Sequence, residues 1–300
     1  MPKRELTKRE TKLIDARVEL VQKVWGDVPK LYSHAVLVHC GLPYRNPGDD
    51  ARHFTRSSGA FSLRIEAGAL PAPGGGFVEV GMPYGARARL LLLHLCADAV
   101  KQQSPVVEVA DSFTAFAKSI GLNTSGRNLR SLRDQINRMS VVSMRLAKRG
   151  DGYTDVFQGP VFSKLRAELP PFAEQLPLWT SHIEFSPDFY SSLERNAVPL
   201  RKEAIYALKH SARALDIYCW LAHRLYRVDF RSPVSIKWTT LRHQFGEPSQ
   251  KMESWKRAFI AALKQALEVY PQAKVERIHG GLLLKNSLPP VPQRNKGLLE

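Results

Sequence analysis

Seven basic side chains lie between Ser125 and Arg149, namely Arg127, Arg130, Arg133, Arg138, Arg145, Lys148 and Arg149, against a single acid, Asp134. Guanidinium and amide groups in such numbers suit one task well, forking onto base edges in a DNA groove and onto phosphate oxygens. Leu129, Leu132, Ile136 and Met139 repeat at helical spacing and claim one side of a helix. Arg127, Arg130, Ser131, Asp134, Asn137 and Arg138 are thereby expected on the opposite side, with Arg133 flanking them. A basic amphipathic helix by itself is usually a solvated surface, so its setting has to decide.

The flanking elements supply that setting. Upstream, Phe113, Phe116, Ala117 and Ile120 give a short helix one apolar face, and Gly121 provides a left-handed stop. Asn123-Thr124-Ser125-Gly126 then offers N-caps for the basic helix. Downstream, Val142, Met144 and Leu146 alternate with Ser143, Arg145 and Ala147, and Gly150-Asp151-Gly152 turns the chain into a hairpin. Lys148 and Arg149 fall at the tip, where a wing touches backbone. The stretch Ser112 to Phe157 therefore predicts a helix-turn-helix followed by a β-hairpin.

Forty-four Lys and Arg against 28 Asp and Glu leave a net charge of +16, which draws the chain to polyanions. No apolar run approaches the ~18 residues of a membrane span. The start, MPKRELTKRE, has no apolar core of a secretory signal, so a cytoplasmic location is expected. Cys40, Cys96 and Cys219 stand singly and read as buried thiols, without a CxxC pair for zinc. Pro71-Ala72-Pro73-Gly74-Gly75-Gly76 is no phosphate cradle, because no Lys-Ser or Lys-Thr follows it. No His-x-His pair occurs to hold the metal of a nicking enzyme. Neither cofactor nor catalysis is expected.

Glu10 to Trp25 predicts a helix with Ile14, Val18, Val21 and Trp25 on its apolar face, packed on the first domain or serving as a dimer surface. Pro43 to Ser58 reads as a long loop. Phe61–Glu66 and Phe77–Val80 read as strands, Gly85 to Val100 as a buried helix and Pro105 to Val109 as a strand before the helix-turn-helix. Leu169-Pro170-Pro171 and Leu176-Pro177-Leu178-Trp179 cannot be regular helix and read as a connection. His182 to Phe185 follows as a strand and Pro187 to Arg195 as a short helix. From Pro199, taken as the first turn of a helix, the order repeats: a helix through Leu215 to Tyr226, a strand at Val234 to Lys237, a short helix from Trp238 to Phe245, a long helix from Ser249 to Tyr270 and a hairpin around His279-Gly280-Gly281.

The expected fold is α+β, two tandem winged-helix domains. The divisions are an N-terminal helix and loop (1–58), a first domain (59–168), a proline-rich connection (169–198), a second domain (199–287) and a C-terminal tail (288–300). Arg127, Arg130, Arg133, Asn137 and Arg138, and in the second domain Gln250, Lys251, Ser254, Lys256 and Arg257, are set to contact bases or phosphates in major grooves about one turn (~10.5 bp) apart. Arg145, Lys148 and Arg149 are set to contact the backbone.

The second half also resembles a known family. Phe189-Tyr190, Val198-Pro199-Leu200, Ala207-Leu208-Lys209 and the run Ala214 to Leu225 resemble the RepA-type replication initiators of bacterial plasmids, especially of broad-host-range plasmids. Pro83-Tyr84-Gly85, Ser112-Phe113 and Gly121-Leu122 with Gly126 extend the likeness over Met82 to Asn286. The resemblance implies a protein that binds repeated double-stranded sites at a plasmid origin, helps open the duplex and recruits the host DnaA and replicative helicase. It also implies a monomer–homodimer equilibrium. The alternative built from the same modules is a transcriptional repressor on a palindromic operator.

Overall fold

The apolar repeat through Ala88, Leu91, Leu92, Leu95 and Ala99 forms the helix Gly85–Gln102 in the computed structural model of the chain, with all five side chains buried. The structure describes residues 7–22, 28–72, 74–164, 182–247 and 250–292. Trp25, the proline-rich passage from Leu169 to Trp179, the first six residues and most of the expected C-terminal tail lie outside the described residues. Helix and sheet are mixed throughout, as the alternation of 3.6- and 2-residue periods requires. Among the described residues no helix is long and apolar enough to cross a membrane.

Two compact units share the chain, Tyr32–Val198 and Met1–Leu31 with Pro199–Glu300. The Tyr32–Val198 unit holds a four-stranded antiparallel sheet in the order His53–Ser58, Phe61–Glu66, Ser143–Arg149, Thr154–Pro160. Its inner face, with Leu63, Ile65, Met144 and Leu146, packs in one core with Leu132, Ile136 and Met139 of the helix Gly126–Ser140. A fully buried side chain of this size stabilises by about 1.5–3 kcal/mol relative to exposure, so this shared core fixes the helix against the sheet.

Several elements depart from sequence expectation. His53–Ser58 is a strand rather than loop. Its core-facing position 56 is an arginine, which hid the alternation. Arg56 is 7% exposed, lies 5.1 Å from the Tyr44 ring and 4.9 Å from the Phe54 ring, and donates to the Gly41 carbonyl at 3.1 Å. Lys30–His34 and Ala35–His39, a strand and a helix, were not anticipated. The strand Val106–Glu108 pairs with His182–Phe185, and Phe162–Lys164 pairs with the same strand. His182–Phe185 and the helix Pro187–Asn196 are therefore no part of a connection, since Phe185, Phe189 and Leu193 are wholly buried in the same core.

In the other unit Pro199 sits in the strand Ala197–Arg201, and the helix Lys202–Leu208 starts only after it. Ala212–Arg224 follows as a separate helix, its first turn capped by the Ser211 hydroxyl, which accepts from the Ala214 amide at 3.3 Å. Trp220, Phe245, Phe259 and Trp255 form a chain of edge-on and tilted ring contacts through its core, with centroids 5.1–5.5 Å apart. Here the strand Val234–Lys237 pairs with Gly281–Leu284, which pairs with Val275–Ile278. The order of elements thus repeats in the two units, but the pairing of the strands differs.

The N-terminal helix, Lys8–Gln22, packs on Lys202–Leu208 and Met252–Glu268, not on the first domain. A reciprocal cap opens it: the Thr7 amide donates to Glu10 at 2.8 Å and the Glu10 amide to the Thr7 hydroxyl at 3.3 Å. Leu13 and Leu20 are buried, while Ile14, Val18 and Val21 are exposed.

Burial raises the thiols of Cys40, to about 12, and Cys96. They are packing groups rather than nucleophiles.

Candidate nucleic-acid interface

Ser112 starts the short helix Phe113–Ser119 by accepting from the Ala115 amide at 3.1 Å. Gly121, at φ +79°, lets the Leu122 amide turn back to the Ala117 carbonyl at 2.9 Å. The chain then enters Gly126–Ser140, whose start is held by a side-chain relay: Arg87 donates to Asn128, and Asn128 donates to Asn123.

Arg127 and Arg130 stand exposed on the first turns of this helix. Arg133 is half-buried, its guanidinium 5.5 Å from the Phe113 ring. Asn137 and Arg138, expected on the exposed face, are buried instead, 6% and 8% exposed. Arg138 donates to Asp134 at 2.8 Å, to Asp49 at 3.1 Å and to the Met82 carbonyl at 3.4 Å, and lies over the Tyr84 ring. Burial works against its charge, but the two carboxylates outweigh it and hold its pKa above the ordinary value. The cause of the correction is non-local. Asp49 and residues 81–84 clasp the second half of the helix, helped by Gln135, which accepts from the Tyr84 amide at 2.8 Å. A Cβ at Gly81 would lie 2.2 Å from Arg138 Nη1 and 2.6 Å from Asp49 Oδ1, so a larger residue there would push both side-chain ends aside.

Arg138→Gln is accordingly expected to cost about 1–3 kcal/mol of stability by removing the charge-assisted hydrogen bonds of a buried guanidinium. The ratio of specific to non-specific duplex affinity should stay near wild type. Denaturant unfolding beside binding titrations checks this, and a lost ratio with full stability would restore Arg138 as a reader.

The expected hairpin is present as Ser143–Arg149 and Thr154–Pro160, joined where the Gly150 amide donates to the Tyr153 carbonyl at 2.9 Å. Arg149 donates to the Gly59 carbonyl at 3.0 Å, and Lys148 to Asn196 at 3.4 Å. Arg145, expected with them to contact the DNA backbone, stands mid-strand on the outer sheet face. Sequence reading also passed over Tyr153, which is 59% exposed at the tip. Its ring folds over Gly150, where a Cβ would lie 2.4 Å from the ring carbon Cζ. The Gly before Asp-Gly was the available signal.

Arg87 was missed as well, because the helix Gly85–Gln102 read as wholly buried. Burial chiefly, then the charge of Arg127, lowers its guanidinium from the ordinary value. Two cations are thus held together beside the start of the basic helix.

In the other unit Lys251, at the N-cap, and Arg257 and Lys264, on the helix Met252–Glu268, are exposed. A trough runs along this helix, lined by Glu253, Lys256, Arg257, Ile260 and Lys264, with Arg277 of the strand Val275–Ile278. Lys256 covers the Trp238 ring at 4.7 Å, and the Ser254 hydroxyl donates to the Lys251 carbonyl at 3.0 Å. Gln250 accepts from Arg213 at 3.4 Å, and its carbonyl accepts from Arg242 at 2.7 Å, so it anchors the helix start. Both units therefore expose cations on one helix and carry an adjacent hairpin.

A family model described as plasmid encoded RepA protein matches residues 82–239. The fold resembles a crystal structure of domains 2 and 3 of RctB, with a TM-score of 0.50 and 11% identity, over 84% of this chain and 98% of that one. A second structure of RctB domains 2–3 aligns with a TM-score of 0.46 and 9% identity, over 83% and 94%. Among curated proteins none matches the chain.

Proposed function

This chain belongs to the plasmid-encoded RepA protein family, and on that premise we propose that it initiates replication by binding repeated double-stranded sites at a plasmid origin through two winged-helix modules. The observation that carries the reading is the repeated arrangement of a short helix, a longer helix exposing cations and a hairpin, in a chain of net charge +16.

In the first module Arg127 and Arg130 enter the major groove, with Arg133 at its edge. Arg87 takes a phosphate beside them, while Lys148, Arg149 and Tyr153 follow the backbone from the wing. In the second, Lys251, Ser254 and Arg257 face the groove, and Lys256, Lys264 and Arg277 neutralise phosphates along the trough. Arg145 and Arg138 are left out of the contact set, for the placements just described. Binding at the origin opens the duplex and brings in the host DnaA and replicative helicase. The chain acts in the cytoplasm, exchanges between monomer and homodimer, and performs no catalysis itself; metal- or nucleotide-dependent turnover by the pure protein would refute that last point.

Tyr153→Ala is expected to weaken every duplex about equally, by roughly 1 kcal/mol. Gly150→Ala should do the same by displacing the ring. Titrations with matched and scrambled duplexes check this, and an effect confined to one sequence would make Tyr153 a reader. The functional reading itself is tested by a nuclease footprint on the DNA flanking the gene, at several salt concentrations. Protected direct repeats support it. A single inverted repeat would point to a repressor instead, and no protection at physiological salt would overturn DNA-site recognition altogether.

A further inference from the structure

The strand register places two arginines face to face outside the groups assigned to DNA. In the four-stranded sheet Arg64 lies directly opposite Arg145, and their row continues with Thr55 on one side and Gln158 on the other. The neighbours of Arg145 along its strand, Met144 and Leu146, point into the core that receives the buried side of Gly126–Ser140. Alternation then sends Arg145 out on the face away from that helix.

Like charges directly opposite in an antiparallel pair are destabilising. One carboxylate answers the two guanidiniums: Glu66 accepts from Arg64 at 2.7 Å. That bond chiefly, with help from the charges of Arg64, Arg145 and His53, holds the Glu66 carboxyl below its ordinary value. Arg145 is exposed and makes no side-chain hydrogen bond or ion pair among the described residues. The face is therefore short of one negative charge at its centre. Around that centre it offers hydroxyls, with Ser57 and Ser62 paired at 3.3 Å in the next row.

We propose that this outer sheet face, centred on Arg64 and Arg145, docks an acidic segment of a partner protein. Guanidinium forks match carboxylates two hydrogen bonds at a time, which suits Asp or Glu side chains spaced along an extended or helical segment. Nucleic acid fits the face less well. The three rows from His53 to Val156 carry no Phe, Tyr or Trp on which bases could stack. The two cations of these rows neutralise too little of a duplex to hold it. The face looks away from Gly126–Ser140, so the inference does not rest on the origin-binding reading.

The test uses the full chain and a fluorescently labelled hexaglutamate peptide, followed by anisotropy. Wild type should bind it, and the double variant Arg64→Gln/Arg145→Gln should bind about tenfold more weakly. Arg130→Ala should bind like wild type, and adding saturating duplex should leave peptide affinity unchanged. Equal peptide affinity in wild type and the double variant would overturn the proposal, as would displacement of the peptide by duplex. Thermal unfolding separates a docking role from a structural one. Relief of the like-charge pair in Arg145→Gln should raise the midpoint by about 1–3 °C, and a falling midpoint would make the pair part of the scaffold. Loss of duplex affinity in Arg145→Gln would assign the face to DNA and end the proposal, whereas loss of footprinting by wild type would count only against origin binding.

Discussion

Arg130→Ala is expected to lower affinity for the specific duplex by about 1–3 kcal/mol while leaving non-specific affinity nearly unchanged. Arg130 is exposed on the second turn of Gly126–Ser140, beside Arg127, and no acidic side chain of the described residues ties it down. A guanidinium so placed meets the two acceptors of a guanine edge when the helix lies in a major groove. Arg149→Ala provides the contrast, because a backbone contact carries no sequence information. It should weaken all duplexes alike and reduce the slope of log affinity against log salt by about 1. Titration of a protected site and a scrambled duplex at matched salt reads both effects. An Arg130→Ala protein with an unchanged specificity ratio would remove Arg130 from the readers.

Phe189→Ala should cost about 3–5 kcal/mol and unfold much of the Tyr32–Val198 unit at ordinary growth temperature. Phe189 is fully buried, stacked on Phe185 with centroids 5.3 Å apart and edge-on to Phe157 at 5.3 Å. Truncation removes three aromatic contacts at once, since the His34 ring lies at 6.1 Å, and the surrounding strands are too constrained to close the cavity. Ser191→Ala, exposed on the same helix, should stay within about 0.5 kcal/mol. Equal, small effects at both positions would mean that 182–198 is connection after all.

Local pattern carried far in this chain. The helices Gly85–Gln102, Phe113–Ser119, Gly126–Ser140, Trp238–Phe245 and Met252–Glu268, and both hairpins behind the longer helices, follow from apolar periodicity, caps and Gly-bearing turns, which act within a few residues. The resemblance to RepA-type initiators was likewise legible from short runs such as Ala214 to Leu225. The strand His53–Ser58 was not, because Arg56 faces inward, where the Gly41 carbonyl and the Tyr44 and Phe54 rings receive its guanidinium. The partner of the N-terminal helix was not either, since two apolar stripes compete on it and only the packed helices select Leu13 and Leu20.

The candidate interface divides the same way. Its helix, its hairpin and its surplus of charge are properties of the sequence alone, because helical phase and net charge need no third dimension. Which arginines remain available is a tertiary property. Arg130 and Arg138 lie on one helix, eight residues apart, yet Arg138 is buried, held by Asp134 of its own helix and by Asp49 and the Met82 carbonyl, which reach across to it. The Arg64–Arg145 pair arises from the register between strands nearly eighty residues apart, which no local spacing encodes. A side chain's type and phase are written in the sequence, but its exposure is set by segments that arrive from elsewhere, and exposure decides whether a charge holds the fold or meets a partner.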